Sequence, residues 1–152
     1  MTDLFAGQFY TEVQCARCKN IEGSFDNFWS VLLQFSPKIG AMKVYSEYLV
    51  KMIESAEKMD TIPDAVCGTC KKRTTLTKQT SFYKMPPILC LVLKRFKVSS
   101  WGRDKNSTDV LIPQKLNARE IGSLNYPGKF PDYELVGIVN HSGGLYSGHY
   151  TR

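Results

Sequence analysis

Cys15-Ala16-Arg17-Cys18 and Cys67-Gly68-Thr69-Cys70 are the stretches on which the reading of this chain turns. Each places two thiols at one tight turn, as a zinc knuckle requires, and together they offer the four sulfurs that tetrahedral zinc takes. A four-cysteine site has no open position, so Zn2+ bound there is structural and not catalytic. The alternative is two unrelated surface turns with free thiols. Five cysteines is an odd count. Two Cys-x-x-Cys pairs among them fit metal in a reducing compartment better than disulfides. Forty-eight residues lie between Cys18 and Cys67, far more than the ~15–20 of a compact ribbon. The chain must leave the metal and return, so the zinc is expected to be a clip inside a larger sheet.

Reading outward, Leu4–Thr11 mixes aromatic residues with Gly7 like a short strand or bend, and Ser24–Leu33 reads as a strand. Met42, Tyr45, Leu49, Met52, Ile53 and Ala56 recur mostly at three- and four-residue steps. That spacing predicts one long amphipathic helix over Ala41–Met59, ended by Ile62-Pro63-Asp64. Lys71–Lys84, rich in threonine, reads as exposed strands. Ile88–Leu93 is an unbroken apolar run that predicts a strand buried on both faces. Ser99–Asp109 reads as a loop, Val110–Pro113 as a strand, Gly122–Asp132 as a loop and Tyr133–Val139 as a strand. His141–Gly148 reads as a glycine- and serine-rich loop leading into a last strand at His149. No internal repeat stands out. One helix among many strands makes the fold class α+β.

The 152 residues suffice for one domain with its own core. Hydrophobic residues are 43% and charged residues 22%, a globular composition and not a disordered one. The net charge of +6 permits acidic partners without demanding nucleic acid. No apolar run approaches the ~20 residues of a membrane helix, and the N-terminus lacks the pattern of a secretory signal. The expected setting is intracellular, cytoplasmic or nuclear.

Both histidines fall in the last twelve residues. His149 follows Ser147-Gly148 at the mouth of a strand, which suits a general base; read alone, it is an ordinary surface or half-buried histidine. His141, before Ser142-Gly143-Gly144, reads as a loop anchor through a hydrogen bond. Cys90 is the one cysteine outside the pairs, and its place within the Ile88–Leu93 run predicts burial, which removes a thiol from chemistry. The residues thus offer a base without a nucleophile.

Leu4-Phe5-Ala6-Gly7, the two cysteine pairs, Tyr83-Lys84-Met85-Pro86-Pro87-Ile88-Leu89 and Leu93-Lys94-Arg95-Phe96 occur in order along the chain. Tyr133-Glu134-Leu135-x-Gly137-Ile138-Val139-x-His141-Ser142-Gly143 and Ser147-Gly148-His149-Tyr150 follow them. Together these motifs resemble the ubiquitin-specific proteases, from Leu4 to the last residue. The resemblance implies a partial papain-like fold: an antiparallel sheet palm plus zinc-ribbon fingers. About residues 4–84 would be fingers holding zinc on Cys15, Cys18, Cys67 and Cys70, and about 85–152 palm with the histidine box. It implies deubiquitination, the hydrolysis of isopeptide or thioester bonds at the C-terminal glycine of ubiquitin. His149 matches the catalytic histidine that shuttles the thiol proton to the leaving amine. Ser99–Asp109 and Ser142–Gly148 match the loops flanking the channel for ubiquitin's tail. Ser142, Gly143, Gly144, Gly148 and Tyr150 are then the substrate-binding residues.

The chain departs from the family's pattern where the family carries its nucleophilic cysteine, in a thumb before the fingers, and where its acidic triad member follows the histidine. This polypeptide is therefore expected to be inactive alone, a fragment marginal in stability or needing a complementing protease fragment. Two alternatives remain at this point. One is a catalytically inactive scaffold that binds ubiquitin or ubiquitinated proteins. The other, less favoured, is a zinc ribbon that binds nucleic acid through Lys71-Lys72-Arg73, whose affinity would fall steeply with salt.

Overall fold

A computed structural model describes residues 2–35, 46–54, 59–99, 102–120, 131–144 and 147–152. A one-turn helix α1 (Thr2–Phe5) leads into β1 (Gly7–Cys15) and β2 (Ile21–Phe28), an antiparallel hairpin whose tip is the first cysteine pair. A second antiparallel hairpin, β5 (Met59–Val66) and β6 (Arg73–Lys84), carries the second pair at its own tip. β1 pairs with β6, with Cys15 opposite Leu76, so the strand order is β2-β1-β6-β5. Alternate side chains of this sheet point to opposite faces. On one face Phe9, Phe28 and Phe82 pack as rings 4.4–5.7 Å apart. On the other, Tyr10, Phe25 and Tyr83 form an aromatic row, of which Phe25 and Tyr83 stay exposed.

The first face opens onto the core. Phe28, Phe82 and Met85 meet β3 (Val31–Leu33) and the helix α2 (Leu49–Glu54) there. Leu49, Met52 and Ile53, at helical spacing, are at most 6% exposed. The expected long helix is therefore right at its centre and wrong in extent. Ser46–Tyr48 is a strand, β4, and Met59 begins β5; residues 41–45 and 55–58 lie outside the described residues. Ile62-Pro63-Asp64 does not end a helix. It sits at a register shift in β5, an edge strand, where proline's missing N–H costs no ladder bond.

The rest of the chain forms two-stranded pairs. β7 (Leu91–Leu93) runs parallel to β3, and β10 (Asp109–Leu111) parallel to β4, so the strands joining the expected antiparallel palm are in part parallel. β8 (Phe96–Ser99) and β9 (Gly102–Lys105) make a hairpin where a loop was expected. β11 (Lys115–Asn117) pairs with β12 (Asp132–Glu134), and β13 (Asn140–Gly143) with β14 (Gly148–Thr151). Two apolar runs are shorter as strands than the sequence predicts. Only Leu91–Leu93 of Ile88–Leu93 pairs, and Ile88 and Val92 are exposed. Tyr133–Val139 pairs only through Glu134, leaving Val136 91% and Val139 74% exposed. The residues are strand-formers, but among the described residues no partner strand extends that far. The expected loop Gly122–Asp132 lies outside the described residues up to 130. Among the described residues no helix is long and apolar enough to cross a membrane.

Candidate functional site

The two cysteine knuckles are one motif built twice. In the first, the Cys15 N–H donates to the Asn20 carbonyl and the Lys19 N–H returns to the Cys15 carbonyl, both at 3.0 Å. In the second, the Cys67 N–H donates to the Lys72 carbonyl and the Lys71 N–H to the Cys67 carbonyl, at 3.1 and 3.0 Å. Lys19 and Lys71 both take positive φ, 61° and 54°, the left-handed conformation that turns the chain out of each knuckle into the returning strand. The likeness is legible as Cys-x-x-Cys-Lys in both places, although the shared lysine passes unnoticed beside the paired cysteines in a motif of only five residues. A polar relay ties the knuckles together: Asn20 Nδ2 donates to Thr69 Oγ1 (2.8 Å), which donates to Glu22 Oε1 (3.0 Å).

The four Sγ atoms lie within 4.8 Å of one another, and Cys18 Sγ is 3.8 Å from Cys67 Sγ. Sulfurs ~2.3 Å from a tetrahedral zinc are ~3.8 Å apart, so this donor set fits the ion. Cys15 and Cys67, at the strand ends, are buried, while Cys18 is exposed. Charge is divided unevenly. The Cys18 N–H aimed at Cys15 Sγ (3.4 Å) holds the Cys15 thiol down at about 6, against the opposing effect of desolvation. At Cys18 the Asn20 N–H lowers the pKa, but the thiol shared with Cys15, desolvation, and the Cys67 and Cys70 thiols raise it, to about 11 overall.

The sign of the pH dependence follows. Above pH 6 Cys15 is already a thiolate, so it adds proton competition only below that value. Cys18 keeps its proton through neutral pH and must lose it to zinc. Zinc binding at pH 7.5 should release protons, and apparent affinity should climb as pH rises, about tenfold per pH unit for each proton displaced. Calorimetry in buffers of differing ionisation enthalpy measures that release; a value of zero would contradict the assignment.

The second candidate region is the β13–β14 hairpin. His149 lies opposite Ser142 in register, and the Ser142 hydroxyl donates to the His149 carbonyl at 3.4 Å. His149 is exposed on a strand, as expected. The expected loop His141–Gly148 is instead mostly paired, with the Gly144 N–H donating to the Ser147 carbonyl across the turn. Gly143 has φ +107°, and a Cβ there would strike the Ser147 carbonyl. A Cβ at Gly148 would strike the His141 imidazole. Both glycines are thus needed to build the hairpin, whereas Gly144 faces open space. His141 packs its ring 4.7 Å from Tyr150 and 5.6 Å from Phe96. Its Nδ1 is buried with no hydrogen-bond partner among the described residues. His141 thus anchors the loop by ring packing, and the hydrogen bond that the sequence suggests for it is not made at Nδ1. Tyr150 itself is 66% exposed.

Cys90 differs from expectation. It is exposed, just outside β7, and its carbonyl accepts the Val31 N–H at 2.9 Å. The apolar run misled because Cys90 lies outside the ladder: β7 begins one residue later, at Leu91, and among the described residues pairs with β3 alone. Lys105, which donates from Nζ to two carbonyls of β13, was missed; a contact across 36 residues leaves no local signal.

The model of the ubiquitin carboxyl-terminal hydrolase family matches residues 1–152. The chain belongs to this family. Ubiquitin carboxyl-terminal hydrolase 2 of Gallus gallus is 35% identical over 152 residues, covering 99% of this family member and 42% of the relative. Ubiquitin carboxyl-terminal hydrolase 21 of Rattus norvegicus is 30% identical over 153 residues, covering 99% and 27%. Among solved structures, a chain of the SAGA Ubp8/Sgf11/Sus1/Sgf73 DUB module bound to ubiquitin aldehyde superposes with TM-score 0.78 at 28% identity. That match covers 97% of this hydrolase-family chain and 33% of the solved one. A chain of the yeast SAGA DUB module gives TM-score 0.79 at 28% identity, covering 97% and 32%. The chain therefore spans less than half the length of these relatives. Its four-cysteine cluster is the zinc ribbon of a ubiquitin-specific protease fold.

Proposed function

We propose that this chain supplies the fingers and histidine box of a deubiquitinating cysteine protease, with ubiquitin conjugates as substrate. Residues 4–84 act as fingers and 85–152 as palm. The observation that carries the reading is the pairing, in one chain, of a four-sulfur ribbon with an exposed His149 on a glycine-built hairpin. His149 takes the proton of a cysteine thiol, the thiolate attacks the carbonyl of ubiquitin's terminal glycine, and the imidazolium protonates the leaving lysine amine. Four of the five cysteines are committed to the metal. On the family's pattern, with the nucleophile in a thumb before the fingers, the nucleophile is assigned to the part of the family's length that these residues do not span. Ser142, Gly143, Gly144, Gly148 and Tyr150 border the path of the ubiquitin tail. The reading places the chain inside the cell, in cytoplasm or nucleus, where thiols stay reduced.

The decisive experiment has two arms. In the complete protease, His149→Gln should cut hydrolysis of a fluorogenic ubiquitin amide by at least ~100-fold, the usual span of general-base catalysis. Residues 1–152 alone should show no turnover yet bind ubiquitin in an NMR titration. Full activity in His149→Gln would refute the role of His149, and absence of any ubiquitin-induced shift would refute the fingers.

A further inference from the structure

We infer that Lys105 is a positioning residue that straps the His149 hairpin to the β8–β9 hairpin. The inference rests on the reading of His149 as the base. Among the described residues β13 and β14 pair only with each other, and an isolated two-stranded hairpin is marginal in water. Something must hold it in place if His149 is to be presented at a fixed position.

Lys105 is placed to do so. Its Nζ donates to the carbonyls of His141 and Gly143, each at 2.9 Å. These carbonyls flank Ser142, the residue opposite His149 in the ladder. One ammonium thus grips the strand on both sides of the position that faces the base. A lysine ammonium has three donors and can serve both carbonyls at once.

The strap has a second component. Lys105 is the register partner of Phe96 across β8–β9. Its Nζ lies 5.9 Å from the Phe96 ring centre, and the same ring meets His141 edge-on at 5.6 Å. His141 passes that contact to Tyr150, next to His149. The hairpin is therefore held through backbone oxygens on one strand and through a ring stack reaching the other. The strap requires a cation and several donors but no particular substrate, so it sets geometry and takes no part in the chemistry.

The test uses zinc-loaded Met1–Arg152 and NMR. The sequence has two histidines, so the imidazole spectrum contains their signals alone. In Lys105→Met the β13–β14 cross-strand amides should exchange about tenfold faster, as expected when a local opening becomes easier. Both imidazole signals should move, while amides of Thr11 and Thr80 in the zinc sheet stay unchanged. Lys105→Arg, which keeps charge and donors, should restore protection to within about threefold. Should Lys105→Met not fold, Lys105→Gln serves for the same comparison. Unchanged exchange and unmoved imidazole signals would overturn the inference even if His149→Gln abolishes turnover in the complete protease. Conversely, faster exchange in Lys105→Met beside an active His149→Gln would leave the strap standing and remove the catalytic reading.

Discussion

Replacing Cys67 with Ser should take the metal content from one zinc per chain to none and separate the β1–β2 hairpin from the β5–β6 hairpin at their tips. Cys67 is 3% exposed, so a hydroxyl in its place is a weaker ligand in a buried spot. Structural zinc contributes ~10–16 kcal/mol in small zinc-finger peptides at neutral pH. The whole stability of a domain is only ~5–15 kcal/mol. Even a third of the zinc contribution, about 4 kcal/mol, would lower the melting temperature by ~8–16 °C in a chain of this size. The first ladder to go should be β1 against β6 beside Cys15, where Thr77 and Leu76 pair with Gln14 and Cys15. Metal analysis, circular dichroism and a thermal scan measure all three effects. A metal-free protein with an unaltered strand spectrum and melting temperature would show that the sheet stands without its clip.

At the opposite end of the same sheet, Phe82→Ala should cost ~3–5 kcal/mol, the range for emptying a buried phenylalanine site. Phe82 is 1% exposed and touches Phe9 and Phe28 at ring distances of 4.9 and 5.7 Å. It joins the four-stranded sheet to the core around Leu33, Met52 and Ile53, so the vacated volume has little around it free to collapse. Its neighbour Tyr83 points to the other face and is 39% exposed. Tyr83→Ala should cost about 1 kcal/mol, typical of a partly exposed site. Urea denaturation of both variants compares the two faces directly. A larger loss at Tyr83 than at Phe82 would mean that the faces have been assigned the wrong way round.

The parts of this molecule that the sequence made legible are those governed by local rules. A Cys-x-x-Cys turn brings its own two sulfurs together, so the four ligands were readable before any fold was known. Leu49, Met52 and Ile53 follow the helical period and do enter the core. Threonine-rich Arg73–Lys84 is a strand because its branched side chains suit a pleated surface. What escaped depends on who sits next to whom. Val31 pairs with Leu91, and Ser46 with Asp109, in parallel ladders that no local pattern announces. Val136 and Val139 have the composition of a buried strand and are exposed, since among the described residues no neighbouring strand reaches them. The burial expected of Cys90 failed for the same reason. Lys105 looked like one charge in a polar loop, and only the hairpin beside it reveals what its ammonium holds.

The twice-built knuckle also bears on the order in which the chain folds. Each half-site sits at the tip of a hairpin whose contacts are close in sequence, and such hairpins close in ~1–10 μs. Joining β1 to β6 instead spans from Gln8 to Lys84, a long loop whose closure entropy is due before its contacts are made. An ion captured by one pre-turned pair and then by the other shortens that search, because it fixes the tips and leaves the strands to align by zipping toward Phe82. Zinc supply would then act as the clock for this step: hairpins first at a rate set by the chain, their union second at a rate set by the metal.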